Sequence, residues 1–261
     1  MSISVIIAGV VTGLLLGIFG SGGSIITMPA LLYLLDVEPK SAIAMSLGIV
    51  AITATITAFQ HWRSGNVNLK VTGIFGLFGV AGTYAGALLG VITPVVLQLG
   101  LFAVVMYAAA WKMLQPKPQP HRSVGAMAVA ECESGDCEEP HFGHIALHGI
   151  GVGILTGVVG VGGGFLIVPA LVLLSGLSMK RAVGTSLSIV ALKSFAGFAG
   201  YAGAVVIDYG LMAIFTAIAV AGSFAGSLLA HRIHADHLKK GFGGFLLLVA
   251  SYILIKSVVL G

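Results

Sequence analysis

Two glycine-rich stretches, Gly17-Ile-Phe-Gly-Ser-Gly-Gly-Ser-Ile-Ile-Thr-Met-Pro29 and Gly157-Val-Val-Gly-Val-Gly-Gly-Gly-Phe-Leu-Ile-Val-Pro169, stand 140 residues apart, each inside a long apolar segment. Glycine in a helix interior costs about 1 kcal/mol relative to alanine, so a cluster of glycines predicts that the helix breaks there. The chain is 57% hydrophobic and 8% charged, with mean hydropathy +1.07, and several runs exceed the roughly 18 apolar residues of a candidate membrane span. Backbone broken at membrane depth must be buried in protein or face a watery cavity, because lipid offers it no hydrogen bonds. The breaks are therefore the first place to look for a substrate.

Composition defines an all-α polytopic membrane protein. Apolar segments run 3–19, 24–35, 41–59, 71–92 and 95–114, then, after a polar stretch 115–144, 145–159, 165–175, 182–203, 207–230 and 241–260. Met1-Ser-Ile-Ser-Val has no basic region and reads as the start of the first helix rather than a signal peptide. The excess of +4 charges reads as loop topology, not nucleic-acid affinity. At an offset of 140, residues 13–51 match 153–191 at 17 of 39 positions, and Val80-Ala-Gly-Thr-Tyr-Ala-Gly-Ala-Leu-Leu matches Val220-Ala-Gly-Ser-Phe-Ala-Gly-Ser-Leu-Leu. Shared hydrophobicity does not align glycines and prolines in this way. The chain divides into a first transmembrane repeat, 1–114, a cytoplasmic linker, 115–144, and a second repeat, 145–261.

Lys and Arg favour short cytoplasmic loops. Repeat one carries Arg63 and Lys70 after its third segment and Lys112, Lys117 and Arg122 after its fifth; repeat two carries Lys180 and Arg181 after its second and Arg232, Lys239 and Lys240 after its fourth. The pattern is displaced by one crossing, as two oppositely inserted copies require; Lys40 alone runs against it. Inversion needs an odd number of crossings per repeat. The second segment has only about twelve residues, reaching roughly 18 Å against a hydrocarbon core of ~30 Å. The favoured architecture is two inverted repeats, each a glycine-broken re-entrant hairpin plus three transmembrane helices, with both termini outside; ten full spans is the alternative.

Helices starting just after the breaks would aim free N–H groups and the positive ends of two helix dipoles at one region, an arrangement suited to a small anion. The candidate binding residues there are Gly20, Ser21, Gly22, Gly23 and Ser24 in the first copy and Gly162, Gly163 and Gly164 in the second. Simple close packing of helices would also explain glycines. Lys193 is the one charge deep in an expected span, since Lys256 is near enough to the end to snorkel. No Asp or Glu lies within a span to pair with Lys193, and a substrate bringing negative charge would supply the partner. Its repeat equivalent is Thr53. Ser46 and Ser186 are repeat equivalents, with Thr185 beside the second; their hydroxyls could donate to oxyanions or bond back to the preceding helical turn. His61 and Arg63 could attract or gate an anion at the cytoplasmic surface, or serve with Trp62 as an interfacial anchor.

The glycine cluster followed by Pro-Ala-Leu, the Ser-Leu at 46–47 with Thr-Ser-Leu at 185–187, the His-Trp-Arg-Ser-Gly-Asn-Val segment from His61, and the Gly82/Gly86 and Gly222/Gly226 spacings together resemble the TauE/SafE (TSUP) sulfite and sulfonate exporter family. The resemblance covers the chain outside 115–144. It implies secondary transport of small sulfur-containing anions such as sulfite, thiosulfate or organosulfonates, across the bacterial cytoplasmic (inner) membrane. Repeat one departs from repeat two in having Ser24 for the third glycine and Met45 for Thr185, so the halves need not contribute equally.

In the linker, Cys132, Cys137, His141 and His144 could hold a soft metal, but their spacing is not that of a standard zinc motif, and a flexible acidic loop is the simpler reading. No cofactor is expected. The expected partners are a small sulfur anion, the lipid bilayer and, as an option left open, further copies of the chain, with no nucleic acid. The leading function is alternating access around the two breaks; the alternatives are an anion channel or a transporter of another small organic anion. An intramembrane enzyme with Ser21 or Ser24 as nucleophile and His61 as base is set aside. Val161 and Gly164 replace the serines in the repeat copy, and His61 belongs at the surface.

Overall fold

The computed structural model describes residues 3–19, 23–114, 142–160, 162–164 and 179–230, with the single positions 167, 171, 244, 247, 248, 250 and 251. Gly20, Ser21, Gly22, Cys132, Cys137, His141 and the basic segment 231–240 lie outside these, and for Ser24 and His144 only the helical backbone is described. Among the described residues the elements are helices: α1 (Ile3–Phe19), α2 (Gly23–Leu34), α3 (Pro39–Arg63), α4 (Leu69–Ile92), α5 (Val95–Leu114), α6 (Phe142–Val159), α7 (Met179–Ala202) and α8 (Tyr209–Ala230). Of these, α3, α4, α7 and α8 are long and apolar enough to cross a membrane; the apolar parts of α1, α2, α5 and α6 are shorter.

Local chemistry fixes the helix ends. Pro39 opens α3, where its missing N–H costs nothing. The helix runs a turn beyond the expected 41–59, so His61, Trp62 and Arg63 are its last residues rather than loop. Gly65, at φ +71, closes it: Gly65 N donates to Trp62 O at 3.0 Å and Asn66 N to His61 O at 3.0 Å, a Schellman ending that needs the left-handed glycine. Asn68 caps α4, its side chain accepting from Lys70 N and Val71 N, and its repeat equivalent Asp208 caps α8 by accepting from Leu211 N at 2.9 Å.

The halves exchange partners. α1 packs on α8, and its repeat counterpart α6 packs on α4. In the first pair Gly13 and Gly17 lie against the backbone of Ala219 and Ser223, while Gly222 and Gly226 lie against Val10 and Leu14. In the second, Gly82 and Gly86 meet Ile150 and Ile154, and Gly153 and Gly157 meet Gly79 and Thr83. Residue numbers rise together across both contacts, so each pair is parallel, and a Cβ at these glycines would strike backbone. The counterparts α3 and α7 also pack on each other, but antiparallel: Gly48 faces Phe198, Leu47 faces Gly197, and His61 faces Gly184. Two equivalent helices running oppositely in contact are related by a two-fold axis perpendicular to them. The pairings bracket Thr53 and Lys193, which places that axis beside them.

The short helix α2 packs between α1 and α3, with Ile25, Ile26, Thr27, Met28, Ala30 and Leu31 all buried. A short helix buried on every face over residues 25–31 is held there by protein rather than by solvent or lipid.

Candidate functional site

Lys193 lies near the middle of α7, 0% exposed and among the largest fully buried side chains. Its stem runs along Gly79 of α4, where a Cβ would come within 2.9 Å of Cδ; the glycine makes room for the lysine. Its Nζ ends over the second break, 3.4 Å from where a Cβ on Gly163 would stand. Gly163 (φ +67) and Gly160 (φ +75) take left-handed conformations that a side chain would strain. The next residue, Ser194, places Oγ 3.0 Å from where a Cβ on Gly162 would stand.

Among the described residues neither Lys193 Nζ nor Ser194 Oγ has a hydrogen-bond partner. The same is true of Thr83 Oγ1, one turn along α4 from Gly79, whose methyl packs at Gly197, one turn along α7 from Lys193. The described acids, Asp36, Glu38 and Asp208, are all exposed, so none of them pairs with the lysine. Buried polar atoms are nearly always paired. Two open donors beside one helix break, with a third hydroxyl open on the neighbouring α4, leave room for an acceptor from outside the chain.

The break itself is firmly held on its carbonyl side. The Tyr201 hydroxyl reaches Gly157 O at 3.3 Å and Val158 O at 3.2 Å, while Gln98 Nε2 donates to Val158 O at 3.1 Å and Gly90 O at 2.8 Å. The bonds to Gly157 O and Val158 O satisfy the last carbonyls of α6, and the bond to Gly90 O satisfies one near the end of α4, which a helix cannot satisfy internally. Ser46 Oγ donates to Gly160 O at 2.8 Å and Ser186 Oγ to Gly164 O at 3.4 Å. Both serines therefore reach the second break, but they bind its carbonyls.

Of the residues singled out from sequence, Lys193, Gly162 and Gly163 come together, with Ser46, Ser186 and Gly164 at the edge of the same break. Thr185 does not join them: its Oγ1 accepts from Asn68 N at 3.0 Å and ties the α3–α4 loop to α7. Eight residues of helix separate it from Lys193, roughly 12 Å. Arg63 is exposed, 6.0 Å from the Phe59 ring, which also meets Trp62 at 5.7 Å; this is an aromatic and cationic cluster at the end of α3. His61 packs its Cβ toward Gly184 at that same end. Sequence reasoning missed Ser194, Thr83, Gln98 and Tyr201. Gln98 alone carried a visible signal, an uncharged amide inside an otherwise apolar helix.

Several apolar helices around a broken helix, with a buried lysine left open above the break, form the build of a polytopic membrane transporter. The chain belongs to the TauE/SafE family: the profile described as "Sulfite exporter TauE/SafE" matches residues 5–253. A "Probable membrane transporter protein" of Xylella fastidiosa (strain Temecula1 / ATCC 700964) is 30% identical over 258 residues, covering 96% of this chain and 94% of its own. The probable membrane transporter protein YdhB of Bacillus subtilis (strain 168) is 26% identical over 221 residues, 82% of this chain and 84% of its own. A similar protein of Methanocaldococcus jannaschii is 30% identical over 203 residues, 75% of this chain and 70% of its own. No solved structure matches the chain.

Proposed function

We propose that this membrane transporter moves a small sulfur-containing anion, sulfite, thiosulfate or an organosulfonate, by alternating access around its two glycine-rich breaks. The observation that carries the reading is Lys193, buried and unpartnered over Gly163. A positive side chain in the apolar interior repels cations and favours a ligand with negative charge and several acceptor oxygens. The family's description as a sulfite exporter supports sulfur as the central atom. Antiparallel packing of α3 on α7 supports inverted repeats, 1–114 and 145–261 about the linker 115–144, rocking against each other about an axis at the lysine. The 17 residues of α1 and 12 of α2 reach about 25 and 18 Å, short of the core, which supports a re-entrant hairpin. With three spans per repeat the termini lie outside the bacterial inner membrane. The protein acts as a carrier rather than an enzyme.

The test is uptake of labelled sulfite, thiosulfate and ethanesulfonate into proteoliposomes, comparing wild type with Lys193→Ala. Saturable uptake of one anion, lost in the variant, is the expected result. No uptake of any sulfur anion would remove the substrate assignment; flux far above carrier turnover would replace alternating access with a channel.

A further inference from the structure

We infer that the chain binds a single small oxyanion at the second break, between Lys193, Ser194 and Thr83, and that the positions equivalent to these three by the 140-residue offset form no second site. This rests on the reading of Lys193 as a substrate ligand and deepens it, because two matched breaks would otherwise imply two equivalent sites. The 140-residue offset pairs Lys193 with Thr53, Ser194 with Ala54, Thr156 with Leu16 and Thr83 with Ser223.

The two sets differ in what their polar atoms do. Around the second break, Lys193 Nζ, Ser194 Oγ and Thr83 Oγ1 are buried and open. In the first half, Thr53 Oγ1 donates to Ile49 O at 2.7 Å, and Thr57 Oγ1 donates to Thr53 O at 2.8 Å. Ser223 Oγ donates to Val220 O at 2.8 Å and lies 3.2 Å from Thr57 Oγ1. Every hydroxyl at the counterpart positions is thus engaged within its own helix or with its neighbour. Leu16 and Ala54, standing where Thr156 and Ser194 stand, belong to one buried apolar cluster with Val50, Ile167 and Val190. Thr53, Ala54 and Ser223 present hydrocarbon and closed hydroxyls where their equivalents Lys193, Ser194 and Thr83 present an ammonium and two free hydroxyls. At these paired positions an anion with three or more oxygens finds open donors in one set only.

Equilibrium binding of labelled sulfite to the full chain in lipid nanodiscs tests this, by the number of sites per chain and by which variants weaken them. Ser194→Ala and Thr83→Val remove hydroxyls with little change in volume, and each is expected to weaken binding by about threefold to tenfold. Thr53→Val and Ser223→Ala, at the equivalent positions, are expected to leave binding within about twofold. One site per chain with that pattern supports the inference. Two sites per chain, or equal losses from the Thr53 and Ser194 variants, would overturn it while leaving anion transport intact. Failure of the wild type to bind sulfite, thiosulfate and ethanesulfonate would overturn both it and the transport reading beneath it.

Discussion

A lysine with no exposure and no partner is expensive, several kcal/mol for an uncompensated charge, and nothing in the packing around Lys193 repays that cost. Gly79 shows the surrounding helices shaped around it, since any larger residue there would collide with the stem. Removing the amine therefore removes a burden on folding and a contact to the anion at once. Lys193→Met, which keeps the stem, is expected to bind sulfite about 10–100-fold more weakly, the loss of a charge-assisted hydrogen bond, while unfolding at the same or higher temperature than wild type. A variant that is destabilised and binds normally would make the lysine structural. Arg63→Ala, at the exposed end of α3, is expected to leave binding unchanged, as measured in the same titration. Lys193 was legible in the sequence because one charge in a long apolar run stands out. Ser194 and Thr83 were not, because hydroxyls in membrane helices ordinarily bond to the preceding turn, as Thr53, Thr55 and Thr57 do here. Only the structure shows which hydroxyls are left open.

At the scale of elements, the helix breaks were legible and their supports were not. Glycine clusters announce that a helix stops, but the donors that make a buried stop tolerable come from distant segments: Gln98 on α5, Tyr201 on α7, and Ser46 on α3. No local spacing connects them. Tyr201→Phe keeps the ring and leaves the Gly157 and Val158 carbonyls with fewer donors, costing about 1–3 kcal/mol. A lower thermal midpoint is expected, with a larger effect on transport rate than on sulfite affinity, since the tyrosine touches the break from the carbonyl side; an affinity loss equal to that of Ser194→Ala would place Tyr201 in the binding site instead. The small-residue stripes show the reverse case. Gly82/Gly86 and Gly222/Gly226 were visible as repeats, yet their partners, α6 and α1, come from the opposite half of the chain. Gly86→Leu pushes a side chain into the Ile154 backbone and is expected to cost about 1–3 kcal/mol, measured as loss of monodisperse protein on heating.

For the whole molecule, the exchange of partners is what makes two halves one body: α1 is held by α8 and α6 by α4, so each repeat lends a helix to the other. The antiparallel contact of α3 with α7 then fixes the relation between the halves, because equivalent helices cannot run oppositely unless one copy is turned over. Displaced Lys and Arg residues hinted at this in the sequence, but Lys40 obscured the hint. In the structure Lys40 Nζ donates to Val91 O at 2.6 Å, closing the end of α4. The inversion makes a prediction independent of any substrate. Ser64, after α3, and Ala204, after α7, are repeat equivalents and both exposed. The α3–α4 turn lies beside the start of α7 through Asn68 and Thr185, whereas Ala204 follows the far end of that helix. In a background with Cys132 and Cys137 replaced by serine, Ser64→Cys and Ala204→Cys are expected to react with a membrane-impermeant maleimide from opposite faces of oriented vesicles. Labelling of Ser64→Cys only after permeabilising intact cells, and of Ala204→Cys without it, would also fix the termini outside. Labelling of both from one face would mean that the halves are inserted in the same direction, and the rocking mechanism would have to be abandoned with the inverted repeat.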